Sequence, residues 1–239
     1  MESEAHYLQH YDASRFPSPI VTVDSALFTL IEKQLCVLLV KRNHHPFLGD
    51  WGLPGGFIDM KQDDSARTTA LRKLTEKTGV LPSWLEQLET FSGPDRDPRG
   101  WSLTSTWYAL IAQENCQPHV ESVSDAFWTP VNTLPTLTLA FDHAVIIDAA
   151  LQRLRQKTMY SLLPVYCLPE VFTQSQLQEA TEIILGQPVQ RKSLIRRFEA
   201  SGMFEDTGKT LATGARKARL WRRKPGINMH LFSRNLLTE

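Results

Sequence analysis

The run Ile20-Val21-Thr22-Val23-Asp24-Ser25-Ala26-Leu27-Phe28-Thr29-Leu30 is rich in β-branched and aromatic side chains and predicts a strand. Glu32-Lys33-Gln34 turns the chain into a second strand over residues 35–41, and further strands are expected at 86–93, at 102–112 and near 126–129. Residues 64–78 predict a helix with Ala70, Leu71 and Leu74 on its apolar face; Asp64 or Ser65 supplies the cap and Gly79 the stop. A mixed sheet flanked by helices, an α/β sandwich, follows from that order. Over residues 142–156, Val145, Ile146, Ala149, Leu151 and Leu154 recur at helical spacing and predict a connector helix. Past Leu162-Leu163-Pro164 a capped helix runs from Thr173-Gln174-Ser175 to Leu185-Gly186. A second, over 190–200, turns Leu194, Ile195 and Phe198 inward and ends at Ser201-Gly202. Two short strand-like pieces, 203–205 and 218–222, then flank a loop at 206–217. Residues 1–18 read as loosely ordered.

A length of 239 residues suits two domains. The expected division is an N-terminal segment at 1–18, an α/β domain at 19–156 and a C-terminal domain at 157–239. No run of eighteen apolar residues and no signal-peptide pattern is found, so no membrane partner is expected. Cys36, Cys116 and Cys167 are far apart and not spaced for zinc, and Cys36 sits in an apolar run; a reduced, cytoplasmic protein is the expectation. The neutral net charge hides an asymmetry: residues 151–239 hold 15 basic and 7 acidic side chains, a balance of +8, against −8 before them. One half is thereby suited to a polyanion.

The chemistry is carried by Gly55-Gly56-Phe57-Ile58-Asp59 followed by Ala70-Leu71-Arg72-Lys73-Leu74-Thr75-Glu76-Lys77-Thr78-Gly79-Val80, which resembles the Nudix box. That resemblance implies a loop and helix whose glutamates hold a divalent metal for attack of water on a nucleoside diphosphate. Helical offsets of three and four put those side chains on one face. Counting back from Gly79, the arginine of the box is Arg72, and its three core glutamate positions hold Lys73, Glu76 and Lys77. The loop from Gly56 to Arg72 is two residues longer than the pattern, and Asp64 stands nearest to its isolated glutamate. An ammonium cannot ligate Mg2+ and repels it, yet attracts phosphate. The expectation is a pocket that holds a diphosphate without cutting it, with no catalytic residue, no metal and no required cofactor.

Pro54-Gly55-Gly56 permits close backbone approach to a diphosphate. Arg42 and Arg99 are favoured as phosphate or ribose contacts, because a guanidinium binds phosphate through two parallel hydrogen bonds. Trp51 and Phe47 fit either a stack on adenine or the core. His143 fits either a ligand contact or a structural place at a helix start. Asp95-Arg96-Asp97-Pro98-Arg99-Gly100 reads as a turn-forming loop that enters a strand. The expected ligand-binding set is Arg42, Trp51, Gly55, Gly56, Arg72, Lys73, Glu76, Lys77, Arg99 and His143.

In the basic half, a helix, a turn, a basic helix and a basic two-stranded hairpin describe a winged helix-turn-helix. Gln190 and Ser193 are expected to reach base edges, and Arg191, Lys192, Arg196 and Arg197 to reach phosphates or bases. Arg216, Lys217 and Arg219 charge the wing. With Leu185-Gly186-Gln187-Pro188, Ser201-Gly202-Met203-Phe204 and Ala140-Phe141-Asp142-His143, the chain resembles the Nudix-related transcriptional regulators (NrtR) from about Ile20 to Arg223. The resemblance implies a homodimeric repressor of NAD-metabolism genes on palindromic, double-stranded operator DNA, with ADP-ribose or a related NAD-derived nucleotide as effector. The competing expectation is an active ADP-ribose pyrophosphatase with an accessory DNA-binding domain.

Overall fold

The computed structural model describes residues 2–79, 81–82, 84–115, 126–213 and 216–238; Cys116, Gly214 and Ala215 and the side chains of Thr78, Thr213, Arg216 and Thr238 lie outside the described residues. At the N-terminus, where loose order is expected, there is a two-turn helix, α1 (Glu4–His10), capped by the Ser3 hydroxyl. It buries no side chain, so local contacts account for it, the Ser3 cap and the i,i+4 pair of Glu2 with His6 among them.

The predicted strand at residue 20 is β1 (Ile20–Ile31), and the second is β2 (Gln34–Lys41). Two short strands, β3 (Trp51–Gly52) and β4 (Gly55–Phe57), precede α2 (Ala66–Thr78). Ser65, not Asp64, caps α2 through a reciprocal box with Thr68, and Gly79 closes it at φ 67°. The chain continues through β5 (Trp84–Gly93), β6 (Ser102–Leu110), β7 (Ala126–Pro130) and α3 (His143–Met159). The sheet runs β3-β2-β1-β6-β5, with β4 added on β1 and β7 on β2. β1 pairs parallel with β6 and antiparallel with β2 and β4, so the sheet is mixed.

β1 is buried on both faces, which explains its nearly continuous apolar run. Leu27, Leu38, Ala109 and Ile111 point to one side with Leu74 of α2. Their alternate neighbours Ala26, Phe28, Val37, Leu39, Tyr108 and Leu110 point to the other, with Ile146, Ile147, Ala150 and Leu154 of α3. The period-two pleat thus sorts the residues of β1, β2 and β6 onto two helices.

This second cluster does not stop at the end of α3. It continues through Leu162, Leu163, Val165 and Tyr166 into Phe172, Leu177, Ile184, Leu194, Phe198 and Phe204, so one core spans both halves of the chain. The C-terminal half contains β8 (Val171–Phe172), α4 (Gln174–Leu185), α5 (Arg191–Ala200), β9 (Phe204–Thr213) and β10 (Arg216–Arg223). Thr173 and Gln176 form a capping box on α4, which ends at Gly186 in the left-handed region. The three-stranded sheet is ordered β8-β10-β9. Here the structure corrects the sequence reading: most of the expected loop at 206–217 is paired strand, because Lys217 to Arg219 register against Thr210 to Ala212. Phe198 of α5 stacks on Phe204 at 4.2 Å between centroids and meets Trp221 edge-on at 5.0 Å, which locks α5 to the hairpin.

Candidate functional site

A cavity of about 140 Å³ opens where β1, β4, α2 and the start of α3 converge. Four cations line it, Arg42, Lys77, Arg96 and Arg99, against two carboxylates, Asp24 and Asp97, so it is suited to an anion. Phe57 and Phe141 add aromatic faces; Arg42 lies 4.6 Å from the Phe141 ring centre and Arg99 lies 5.3 Å from that of Phe57. Gly55 is required on packing grounds: a Cβ there would fall 2.0 Å from Asp24 Oδ1 and 2.5 Å from the Val23 carbonyl.

The three box positions divide. Arg72 makes two hydrogen bonds to Asp63, one of them from Nε at 2.7 Å, and a third to Glu76 at 2.9 Å. These bonds hold the Asp63 carboxyl far below the usual carboxylate range. Lys73 donates to the other Glu76 oxygen at 2.8 Å, so Glu76 is held by two cations. Lys77 instead faces the cavity and, among the described residues, makes no hydrogen bond or ion pair. Burial pushes its ammonium below the ordinary lysine range; nearby Asp24 opposes that, while Lys73 and Arg42 add to it.

A Nudix site would hold a divalent cation with a set of carboxylates. These residues do not fit one. Among the described residues no three His, Cys, Asp or Glu side chains group so as to hold a metal ion, and the side chain that α2 sends into the cavity is the ammonium of Lys77.

Arg42 organises the loop beneath the cavity, donating from Nε to the Pro46 carbonyl at 2.8 Å. Burial, then the Arg99 charge, lowers its pKa. Asp97 fixes Arg99 through 3.0 Å and 2.7 Å hydrogen bonds. Arg96 turns the other way and grips Asp142 through bonds of 2.9 Å and 2.8 Å, just before α3. His143 is buried, and its Nδ1 accepts the Leu53 amide proton at 2.9 Å, which leaves the other ring nitrogen, 3.7 Å from Asp24, to carry hydrogen. Burial lowers the pKa of this imidazole.

Of the expected ligand set, Arg42, Gly55, Gly56, Lys77, Arg99 and His143 line the cavity, whereas Arg72, Lys73 and Glu76 form the ion-pair chain beside it. Trp51 lies outside it. Its ring meets Phe127 edge-on, and its carbonyl accepts from Ala140 N at 2.8 Å, supporting the Phe141 wall through the backbone. Sequence reasoning missed Asp24, Arg96, Phe57 and Phe141. The signal available for Asp24 was its charge inside an otherwise apolar strand, a place where a carboxylate survives only with partners.

In the C-terminal half, Gln190, Arg191, Lys192 and Arg196 are exposed on α5, as are Lys217 and Arg219 on β10. The Arg216 side chain lies outside the described residues. Two expected contacts face inward instead. Ser193 is 1% exposed, and its hydroxyl accepts from Arg196 at 3.3 Å. Arg197 is 3% exposed and donates from Nη1 to the Met159 carbonyl at 2.8 Å and from Nη2 to that of Arg234, so its charge is spent inside the protein. The i to i+3 spacing from Leu194 puts it on the inner face.

The chain matches the NUDIX domain family over residues 21–150 and the NrtR DNA-binding winged helix domain over residues 164–222. It is 40% identical over 220 residues, 92% of this chain and 88% of the relative, to an ADPR responsive transcriptional repressor, NtrR, of Acinetobacter baylyi. It is similar in structure to Shewanella oneidensis NrtR complexed with a 27mer DNA, with a TM-score of 0.85 and 47% identity over 91% of this chain and 99% of that one. The NUDIX domain of the same protein complexed with ADP ribose aligns with a TM-score of 0.61 and 50% identity, covering 64% of this chain and 99% of that one. A cationic cavity built on a Nudix sheet, continuous through α3 with a winged helix whose outer face is basic, places this chain in the NrtR family.

Proposed function

We propose that this chain is an ADP-ribose-responsive transcriptional repressor that binds operator DNA through α5 and the β9–β10 wing and holds its effector, uncleaved, in the Nudix cavity. One observation carries the reading: α3 runs from the cavity to the inner faces of α4 and α5. Phe141 and His143, at its start, line the cavity, and Arg96 holds Asp142. At its far end Arg155 donates to the Ile184 carbonyl of α4 at 3.2 Å, and the Met159 carbonyl accepts from Arg197 of α5. A ligand that draws on Arg96 or Phe141 therefore acts on the helix that seats the DNA-binding helices, and differential affinity of about 1–3 kcal/mol is the usual scale of such coupling. The finer reading is a homodimer on a palindromic operator of NAD-metabolism genes, with two copies of α5 spaced by one helical turn of DNA. A gel shift on the promoter regions beside this gene tests it. Retardation relieved by ADP-ribose, and not by AMP at equal concentration, supports the proposal; retardation indifferent to saturating ADP-ribose sinks the effector role.

A further inference from the structure

The misfit between this site and a divalent cation has a chemical consequence. We propose that the Lys77 ammonium stands in for the cation of a Nudix site, so that the cavity takes an intact nucleoside diphosphate without metal; this rests on the effector reading above. The other cations are committed elsewhere. Arg96 is held by Asp142, Arg99 by Asp97, and Arg72 and Lys73 by Asp63 and Glu76. Arg42 is bonded to loop carbonyls. Lys77 alone among these six makes neither a hydrogen bond nor an ion pair with any described residue, and it lines the cavity whose wall also includes Gly55 and Gly56. A partly buried ammonium with no hydrogen-bond partner, offset only by the nearby charge of Asp24, is costly, and an anion entering the cavity reduces that cost.

Lys73 completes the exchange from the other side. By holding Glu76 with Arg72, it occupies the remaining box carboxylate, which would otherwise recruit a cation or repel the phosphates. The two lysines thus have separate tasks: one silences the old ligand, and the other replaces the metal.

Calorimetric titration of the full chain with ADP-ribose, in EDTA and again in Mg2+, is the test. The wild-type Kd is expected to agree within about twofold between the two buffers. Lys77→Gln should weaken binding roughly 10- to 100-fold, the scale of one charge-assisted hydrogen bond, and Lys77→Arg should restore most of it. Lys77→Glu should bind poorly in EDTA and recover in Mg2+, because a carboxylate again offers the metal a ligand. Binding by the wild type that is lost in EDTA and regained in Mg2+ overturns the assignment while leaving the effector reading intact, as does an unchanged Kd in Lys77→Gln. Absence of ADP-ribose binding in both buffers removes the effector reading, and this one with it. Operator binding without ligand verifies that each variant is folded, and if Lys77→Gln fails that check, the wild-type buffer comparison and Lys77→Arg decide the matter.

Discussion

Arg197 of α5 donates to the carbonyl of Met159, the last residue of α3, at 2.8 Å, and a second guanidinium nitrogen reaches the Arg234 carbonyl. A side chain that resembles a DNA contact in the sequence is a clamp between helices. Arg197→Met keeps most of the volume and leaves two inward-facing carbonyls without their donor. The expected loss is about 2–3 kcal/mol of unfolding free energy, read by urea denaturation, while the salt dependence of operator binding stays at the wild-type slope. A shallower slope would return Arg197 to the DNA contacts.

The outer cations of α5 should behave in the opposite way. Lys192→Ala should leave stability within about 0.5 kcal/mol but reduce the slope of log affinity against log salt by about 0.9 for a lost phosphate contact. Gln190→Ala, at the start of the same helix, should change sequence preference by about 1–3 kcal/mol at one base pair. Operator titrations between low and moderate salt separate the two, and equal losses on operator and random DNA for Gln190→Ala would exclude base readout.

Arg96 and Asp142 form a largely buried ion pair, 8% and 21% exposed, at the junction of cavity wall and α3. Removing one partner strands the other, so Asp142→Ala should cost about 3 kcal/mol in stability. The milder Asp142→Asn should fold, bind operator, and show a weaker response to ADP-ribose. If Asp142→Asn is released from DNA by the same ligand concentration as wild type, the pair has no part in coupling.

His143 gives a pH signature. Burial holds its folded-state pKa below the ordinary histidine value of about 6.5, so as pH falls the unfolded chain takes up this proton first. Its contribution to stability is complete above about pH 6.5 and is lost as pH falls from there toward the folded value, with a slope of at most about 1.4 kcal/mol per pH unit. Melting temperatures between pH 7.5 and 5 should therefore fall more steeply for wild type than for His143→Asn. Parallel curves would show that the ring does not titrate between the two states.

The architecture was legible in the sequence wherever one physical pattern dominated. The run from Ile20 announced β1, Ser65 and Gly79 bracketed α2, and Thr173 and Gly186 bracketed α4. The hairpin was under-read because polar, glycine-containing segments such as Asp206 to Lys209 resemble loops, whereas strand pairing there is supplied by β10. The site was legible as a list of residue types and not as a set of partnerships. Lys73 and Lys77 look alike in sequence, four residues apart on one helix, yet one meets Glu76 and the other an open cavity. Ser193 and Arg197 were assigned by charge and polarity, when helical phase against Leu194 and Phe198 set their direction.

Seventeen residues make α3 about 25 Å long. Its first turn borders the cavity, and if effector binding tilts it, as the proposed function requires, a tilt of only ~5° about that end carries Met159 through roughly 2 Å, farther than a hydrogen bond can stretch. The Arg197 clamp then has two outcomes, to let go or to take α5 along. On the proposed reading either one shifts α5 by up to about 2 Å, so a small adjustment at the cavity end of α3 is amplified at the end that seats the recognition helix.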